Sequence, residues 1–136
     1  MSYQVQINNF KGPLDLLLYF IKRDELDIYD IPIAEITKEF IEVIDTWKQM
    51  NLLIAGEFID MASILMRVKV RMMLPRKIVD DDGEFVDPRT ELVQRLIEYK
   101  RYTDGADMLK SLAEKRSHVF TRKHINGLDS EKNNEL

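Results

Sequence analysis

The sequence predicts a mainly α fold, in which a small N-terminal helical bundle with a candidate short strand is followed by a linker, a further helix and an extended arm. Two observations lead to this prediction. Apolar residues recur at intervals of three and four in four blocks of the chain, which is the spacing of a helix face. The alternation typical of a strand is confined to Tyr3–Ile7. At 136 residues and 45% hydrophobic content, the chain is long enough for one modest domain with an appended arm.

The first two helices are predicted from their proline starts. Residues 12–13 are Gly-Pro, and proline at the first helical position has no N–H to satisfy. Residues 14–21 are apolar on nearly every side, so we expect this helix to be sandwiched between others. The second helix is predicted from Pro32 to about Met50. Its apolar residues form a single stripe, typical of an ordinary surface helix: Ile33, Ile36, Phe40, Val43, Ile44 and Trp47.

The third predicted helix, Glu57–Leu74, is apolar around more than half of its circumference, and Pro75 should end it. One stripe comprises Phe58, Met61, Ala62, Leu65, Val68 and Met72, and a second comprises Ile59, Ser63, Met66, Val70 and Met73. A surface helix normally needs only one such stripe. Spacing alone leaves two interpretations open: either the helix is central to the bundle, or another protein covers the second stripe.

The segment Lys77–Asp87 is acidic and contains Gly83, which favours a solvated linker and an internal boundary. A fourth helix is predicted from Asp87 and Pro88, with Gly105 as a candidate kink. After Lys115 the helical periodicity is lost, and we expect an extended docking arm. The predicted organisation is an N-terminal domain at 1–78, a linker at 79–87, a helix and arm at 88–125, and a disordered tail at 126–136.

Composition excludes several classes of protein. There is no cysteine, which removes disulfides and thiolate chemistry. No run approaches the roughly 20 apolar residues of a membrane span, and no export signal is recognisable, so we expect a cytoplasmic protein. The formal net charge of −4 argues against electrostatic attraction of the chain as a whole to nucleic acid.

Candidate sites for chemistry are weak. The acids Asp80, Asp82, Glu84 and Glu91 fit a calcium-loop register, but Phe85 occupies the position that requires glycine. The acidic loop Asp24–Asp30 contains no histidine or basic residue of its own, and His118 and His124 are spaced poorly for two ligands on one helix face. No combination of nucleophile, base and orienting group is recognisable. We therefore predict an interaction protein that is not an enzyme and needs no cofactor or metal.

Several segments carry a resemblance to a known family. GPLDLLL (12–18), DIYDIPI (27–33), AGEFIDMASILMRVKVRMMLP (55–75) and DPRTELVQRLIEYKRYTDGA (87–106) occur in an order similar to that of segregation and condensation protein A, the bacterial kleisin. The resemblance covers about residues 10–106. The departures are mild, such as Val70 where the family commonly has serine and Met73 where it commonly has leucine.

The resemblance implies an adaptor of bacterial condensin, nucleoid-associated in the cytoplasm, with DNA contacted only indirectly or weakly. The third helix would bind the coiled-coil neck of an SMC (structural maintenance of chromosomes) ATPase head, and this favours the partner interpretation of its second stripe. The expected contacts are Ile59, Ser63, Met66, Val70, Met73 and Arg67. The region from about Pro88 to Ile125 would bind a dimer of segregation and condensation protein B. The expected contacts there are Leu92, Leu96, Tyr99, Tyr102, Val119 and Phe120.

Two further expectations complete the sequence-based interpretation. Kleisins of this type also carry a C-terminal winged-helix domain, which the residues after Ile125 are too few to form, so we expect the chain to be a fragment. The alternative function is a helical nucleic-acid-binding module that uses Arg67, Lys69, Arg71 and the basic cluster Lys115–Lys123.

Overall fold

The computed structural model describes residues 9–75 and 79–134, with side chains described up to His118. In these ranges the chain forms α1 (Pro13–Arg23), α2 (Ile33–Gln49), α3 (Gly56–Met72) and α4 (Thr90–Asn134). The mainly α prediction is confirmed. The predicted strand Tyr3–Ile7 lies outside the described residues.

The chain divides into two compact units, Met1–Tyr99 and Lys100–Leu136. The boundary between them lies within α4, later than the boundary expected at the acidic linker. The first unit therefore contains α1, α2, α3 and the first turns of α4. The second unit consists of the remainder of that helix.

The core of the first unit is built from the apolar stripes of its helices. In α2 the side chains of Phe40 and Trp47 are buried, as the single stripe predicts. The Trp47 and Phe58 rings meet edge to face with centroids 5.5 Å apart, which joins α2 to α3. Thr37 is also buried, and its hydroxyl donates to the Ile33 carbonyl at 2.6 Å, so its polar atom is satisfied inside the core.

The helix α1 is largely enclosed, as its all-round apolar character predicts. Leu16, Leu17, Phe20 and Ile21 are buried, whereas Tyr19 remains 38% exposed. The Arg23 guanidinium at the end of α1 pairs with Asp24 and with Glu39 of α2. These hydrogen bonds, the one to Asp24 foremost, raise the pKa of Arg23, and the hydrogen bond from Arg23 lowers the pKa of Asp24.

The first turns of α4 belong to the core, which the sequence-based boundary did not anticipate. Leu92 and Leu96 are 3% and 0% exposed and join the same hydrophobic cluster as the buried residues of α1, α2 and α3. Apolar periodicity identifies the buried face of a helix but not the unit against which it packs. The segment 88–99 is therefore part of the N-terminal unit.

Arg89 holds this start of α4 to the connection between α1 and α2. Its Nη1 donates to Asp30 Oδ1 at 2.6 Å and to the Ile31 carbonyl at 2.9 Å, and its Nη2 donates to Asp87 Oδ2 at 2.9 Å. Hydrogen bonding to Arg89 lowers the pKa of Asp87, and the pairs with Asp87 and Asp30 raise the pKa of Arg89. Sequence reasoning did not identify this residue.

The acidic segment expected as a solvated linker contains an ordered turn. An isolated antiparallel bridge joins Val79 and Phe85, and the Asp80 N–H donates to the Glu84 carbonyl at 2.9 Å. Gly83 has a φ of 78°, a left-handed conformation that favours glycine. Residues 77 and 78 at the start of this segment lie outside the described residues.

The structure also differs from the expected extended arm and disordered tail, because α4 continues as a helix through Asn134. No proline follows Pro88 in the sequence. Gly105 lies within the helix and disfavours it by only about 1 kcal/mol relative to alanine. A loss of apolar periodicity shows that a helix lacks a single buried face, but it does not by itself end the helix.

Candidate partner-docking site

The two apolar stripes of α3 have different environments. Phe58, Met61, Leu65 and Val68 of the first stripe are buried, with Ala62 partly buried and Met72 at the exposed end. The second stripe faces outward: Ile59, Met66, Val70 and Met73 are 46%, 45%, 59% and 72% exposed, and Ser63 is exposed as well. Among the described residues, the core therefore packs against the first stripe and leaves the second stripe exposed.

Beside the C-terminal half of the stripe, α2 and α3 form an open groove. Met66, Lys69, Val70 and Met73 supply the α3 side. The α2 side was missed in the sequence, although Ala34, Lys38 and Ile41 share a helix face at intervals of four and three. The α2 residues that line the groove are Ala34, Glu35, Thr37, Lys38, Ile41 and Glu42. We call the second stripe of α3 together with this groove the α2–α3 docking surface.

The docking surface is apolar along its length and carries charges of both signs at its edge. Lys38 and Lys69 are basic, and Glu35 and Glu42 are acidic. The polar atom of Ser63 is satisfied locally, since its hydroxyl donates to the Ile59 carbonyl at 3.3 Å. Such an arrangement suits an apolar contact whose register is fixed by charges around it.

Arg67, which was expected at the rim of the partner contact, lies to the side of the second stripe. At about 100° per residue, it is roughly 80° around α3 from Ile59. Arg67 lines a different cleft, between α3 and the first turns of α4, together with Arg71 and Arg95.

The residues predicted to bind the accessory subunit do not form one surface. Leu92 and Leu96 are core residues, so their side chains are not available to a partner. Tyr99 is half-buried in the first unit, whereas Tyr102 in the second unit is 76% exposed. The side chains of Val119 and Phe120 lie outside the described residues. The second unit also exposes three apolar side chains that the prediction did not include, namely Met108, Leu109 and Leu112.

Several of the acidic residues considered for metal binding or catalysis have structural partners. Asp80 Oδ1 accepts hydrogen bonds from the N–H groups of Asp82 and Glu84 at 3.0 and 2.9 Å. Asp80, the first residue of the calcium-loop register, therefore stabilises the turn in which it lies. In the acidic loop, Asp27 accepts the Tyr29 N–H, and Asp30 pairs with Arg89. Within the described ranges, no three His, Cys, Asp or Glu residues are grouped as metal ligands would be.

None of the helices in the described part of the chain has the length and hydropathy that a membrane span requires.

The described part of the chain is a helical domain with an apolar helix face that its own core leaves uncovered. Residues 20–130 match the family described as Segregation and condensation protein ScpA. The chain belongs to the segregation and condensation protein A family. Proteins named segregation and condensation protein A from Brevibacillus brevis and Bacillus cytotoxicus are 45% and 46% identical to it over 129 residues, which are 90% and 92% of this chain. These matches cover 51% and 52% of the two relatives, so the chain spans about half of their length.

Proposed function

We propose that this chain is a non-enzymatic kleisin adaptor in chromosome segregation and condensation, located in the cytoplasm and associated with the nucleoid. In this proposal its first unit binds the coiled-coil neck of an SMC ATPase head through the α2–α3 docking surface. The observation that carries the proposal is the second stripe of α3, which the folded chain leaves exposed. The chain's membership of the segregation and condensation protein A family supports the choice of partner.

A helical partner suits the shape of this surface. Ile59, Ser63, Met66, Val70 and Met73 follow the three-and-four spacing of a helix seam. In a bundle shared between two chains, side chains of a partner helix would fit between such residues as knobs into holes. The neighbouring wall of α2 makes the surface a groove, which is the geometry that receives an amphipathic helix.

Stable binding requires burial of more apolar surface than the second stripe of α3 provides. The exposed fractions of its four large apolar residues amount to about two fully exposed side chains, and burial of each full side chain contributes roughly 1.5–3 kcal/mol. The stripe thus contributes about 3–6 kcal/mol against an association cost of roughly 4–15 kcal/mol. Ile41 of α2 lines the same groove and adds apolar surface, and further exposed apolar side chains on helices of the first unit include Tyr19 of α1 and Met72 of α3.

The second part of the proposal is that the unit beginning at Lys100 binds a dimer of segregation and condensation protein B. Its support is the exposed apolar set on this part of α4, namely Tyr102, Met108, Leu109 and Leu112. Because Leu92 and Leu96 are buried in the first unit, the proposed contact begins beyond them.

A binding experiment with both partners tests the two parts separately. The full chain is offered an SMC head that retains its neck, and separately the segregation and condensation protein B dimer. Substitutions on the second stripe of α3 should abolish only the first interaction, and substitutions at Tyr102 and Leu109 only the second. The assignment of one partner to each unit would be contradicted if either set of substitutions abolished both interactions. It would also be contradicted if neither set abolished an interaction.

A further inference from the structure

A small basic cleft lies between α3 and the first turns of α4, outside the α2–α3 docking surface. Its volume is about 160 Å³, and all of its residues belong to the first unit. The apolar lining consists of Ile64, Val68, Pro88 and Leu92, and the charged lining consists of Arg67, Arg71, Arg95 and Glu91.

The charge of this cleft is opposite to that of the whole chain. Three arginines and one glutamate give it a formal charge of about +2, although the chain carries −4. Arg95 Nη2 donates to Glu91 Oε1 at 3.1 Å. Among the residues that the structure describes, Arg67 and Arg71 have no salt-bridge partner. Two guanidiniums in this cleft are therefore available to an anion.

The backbone adds further positive character. Pro88, Glu91 and Leu92 bring the beginning of α4 to the cleft, and the first N–H groups of a helix carry positive partial charge. Arg67 and Arg71 lie near the C-terminal end of α3, where basic residues are favourable for that helix alone. Helix-end stabilisation does not account for the presence of Arg95 of α4 in the lining of the same cleft.

We propose that the cleft lined by Arg67, Arg71 and Arg95 binds a phosphate group. Guanidinium groups donate in a planar fork that matches phosphate and carboxylate oxygens. Three arginines offer more donors than the two oxygens of a carboxylate can accept, whereas a phosphate presents up to three charged or partly charged oxygens. Its charge also balances the formal +2 of the cleft. This inference is independent of the proposed neck contact, because the cleft lies on another side of α3.

Titrations of the full 136-residue chain test the proposal. The probes are inorganic phosphate, a mononucleotide triphosphate and a short DNA duplex, each at low ionic strength, with binding followed by NMR shifts of arginine side chains and by calorimetry. The variant is Arg67→Gln/Arg71→Gln. The matched control is Lys22→Gln/Lys48→Gln, which removes the same charge from exposed positions outside the cleft.

We expect the variant to weaken phosphate binding at least about tenfold, because each lost contact is a charge-assisted hydrogen bond. The control should bind as the parent chain does. A third variant, Arg67→Lys/Arg71→Lys, keeps the charge without the fork and should have intermediate affinity. Binding of duplex DNA with the same dependence on Arg67 and Arg71 would identify backbone phosphate as the source. Binding of the nucleotide without DNA would identify a free phosphate ester.

Two results would overturn the proposal. One is the absence of saturable binding of all three probes by the parent chain at low ionic strength. The other is an equal weakening by the variant and the lysine control, which would mean that net charge alone governs the interaction. Melting curves of each variant check that folding is retained, which we expect because the substituted side chains are exposed.

Discussion

Replacement of Met66 and Val70 by glutamate should abolish binding to an SMC neck while leaving the fold intact. Both residues face outward on α3, 45% and 59% exposed, and both line the groove with α2. A carboxylate at either position remains solvated in the free chain. In a docked complex it would be transferred into an apolar contact without a partner for its charge.

The magnitude follows from the exposed fractions. Together the two residues have about one full side chain left to bury, which corresponds to roughly 1.5–3 kcal/mol of lost apolar contact. Desolvation of an unpaired carboxylate adds several kcal/mol for each charge that is buried. A total of at least about 4 kcal/mol corresponds to a loss of affinity of about a thousandfold. The free energy of unfolding of the isolated chain should change by less than about 1 kcal/mol, since the sites are exposed and glutamate is a good helix former.

The assay measures binding by calorimetry to an SMC head with its neck, alongside helical content and thermal unfolding of the free chain. The control variant is Met50→Glu/Leu53→Glu, which adds the same two charges at residues that are 60% and 94% exposed in the connection between α2 and α3. It should bind normally. Retained affinity in Met66→Glu/Val70→Glu would refute the docking assignment. Loss of folding together with binding would show that these side chains stabilise the chain itself.

Three further predictions concern α4. Leu96→Ala should destabilise the first unit by about 2–5 kcal/mol in chemical denaturation, because this side chain is fully buried, and a change below about 0.5 kcal/mol would place it outside the core. Asp87→Asn should lower stability near neutral pH, and the difference from the parent chain should disappear in acid. The pKa of Asp87 is lowered in the folded chain. Its stabilising contribution is therefore present at pH values above its pKa in the unfolded chain, about 3.9, and is lost as the pH falls through its pKa in the folded chain. If the melting temperatures of the parent chain and the variant differed by the same amount across this pH range, the role of the Asp87–Arg89 pair would be contradicted. Tyr102→Glu/Leu109→Glu should abolish binding to segregation and condensation protein B without changing the melting temperature, because these residues are 76% and 69% exposed; unchanged affinity in a pull-down titration would remove them from that interface.

The helices of the first unit were predictable because each has a local signal. Pro13 begins α1, Pro32 immediately precedes α2, and the single stripe of α2 from Ile33 to Trp47 is the face that the structure buries. Proline starts and periodic apolar residues depend only on neighbours in the sequence. The second stripe of α3 was also visible in the sequence, although its spacing alone left open whether the chain's own core or a partner covers it.

The remainder of the site depends on contacts between residues distant in sequence. Arg89 reaches Asp30, 59 positions earlier, and no spacing rule connects them. The contribution of Ala34 and Ile41 to the groove depends on which side of α2 lies beside α3. The family resemblance implied that Leu92 and Leu96 contact a partner, and their helical spacing could not correct this, because it is identical whether the covering surface is foreign or belongs to the same chain.

The burial of Leu92 and Leu96 explains why α3 keeps one face uncovered. The faces of α3 around Phe58, Leu65 and Val68 pack into the cluster that includes residues of α1, α2 and the first turns of α4. No described element of the first unit covers the side that carries Met66 and Val70. The start of α4 could cover that side only by leaving the core, where two leucines hold it by roughly 2–5 kcal/mol each. The exposed stripe is thus fixed by the way α4 packs, and a partner that supplies a helix can complete the bundle without rearranging it.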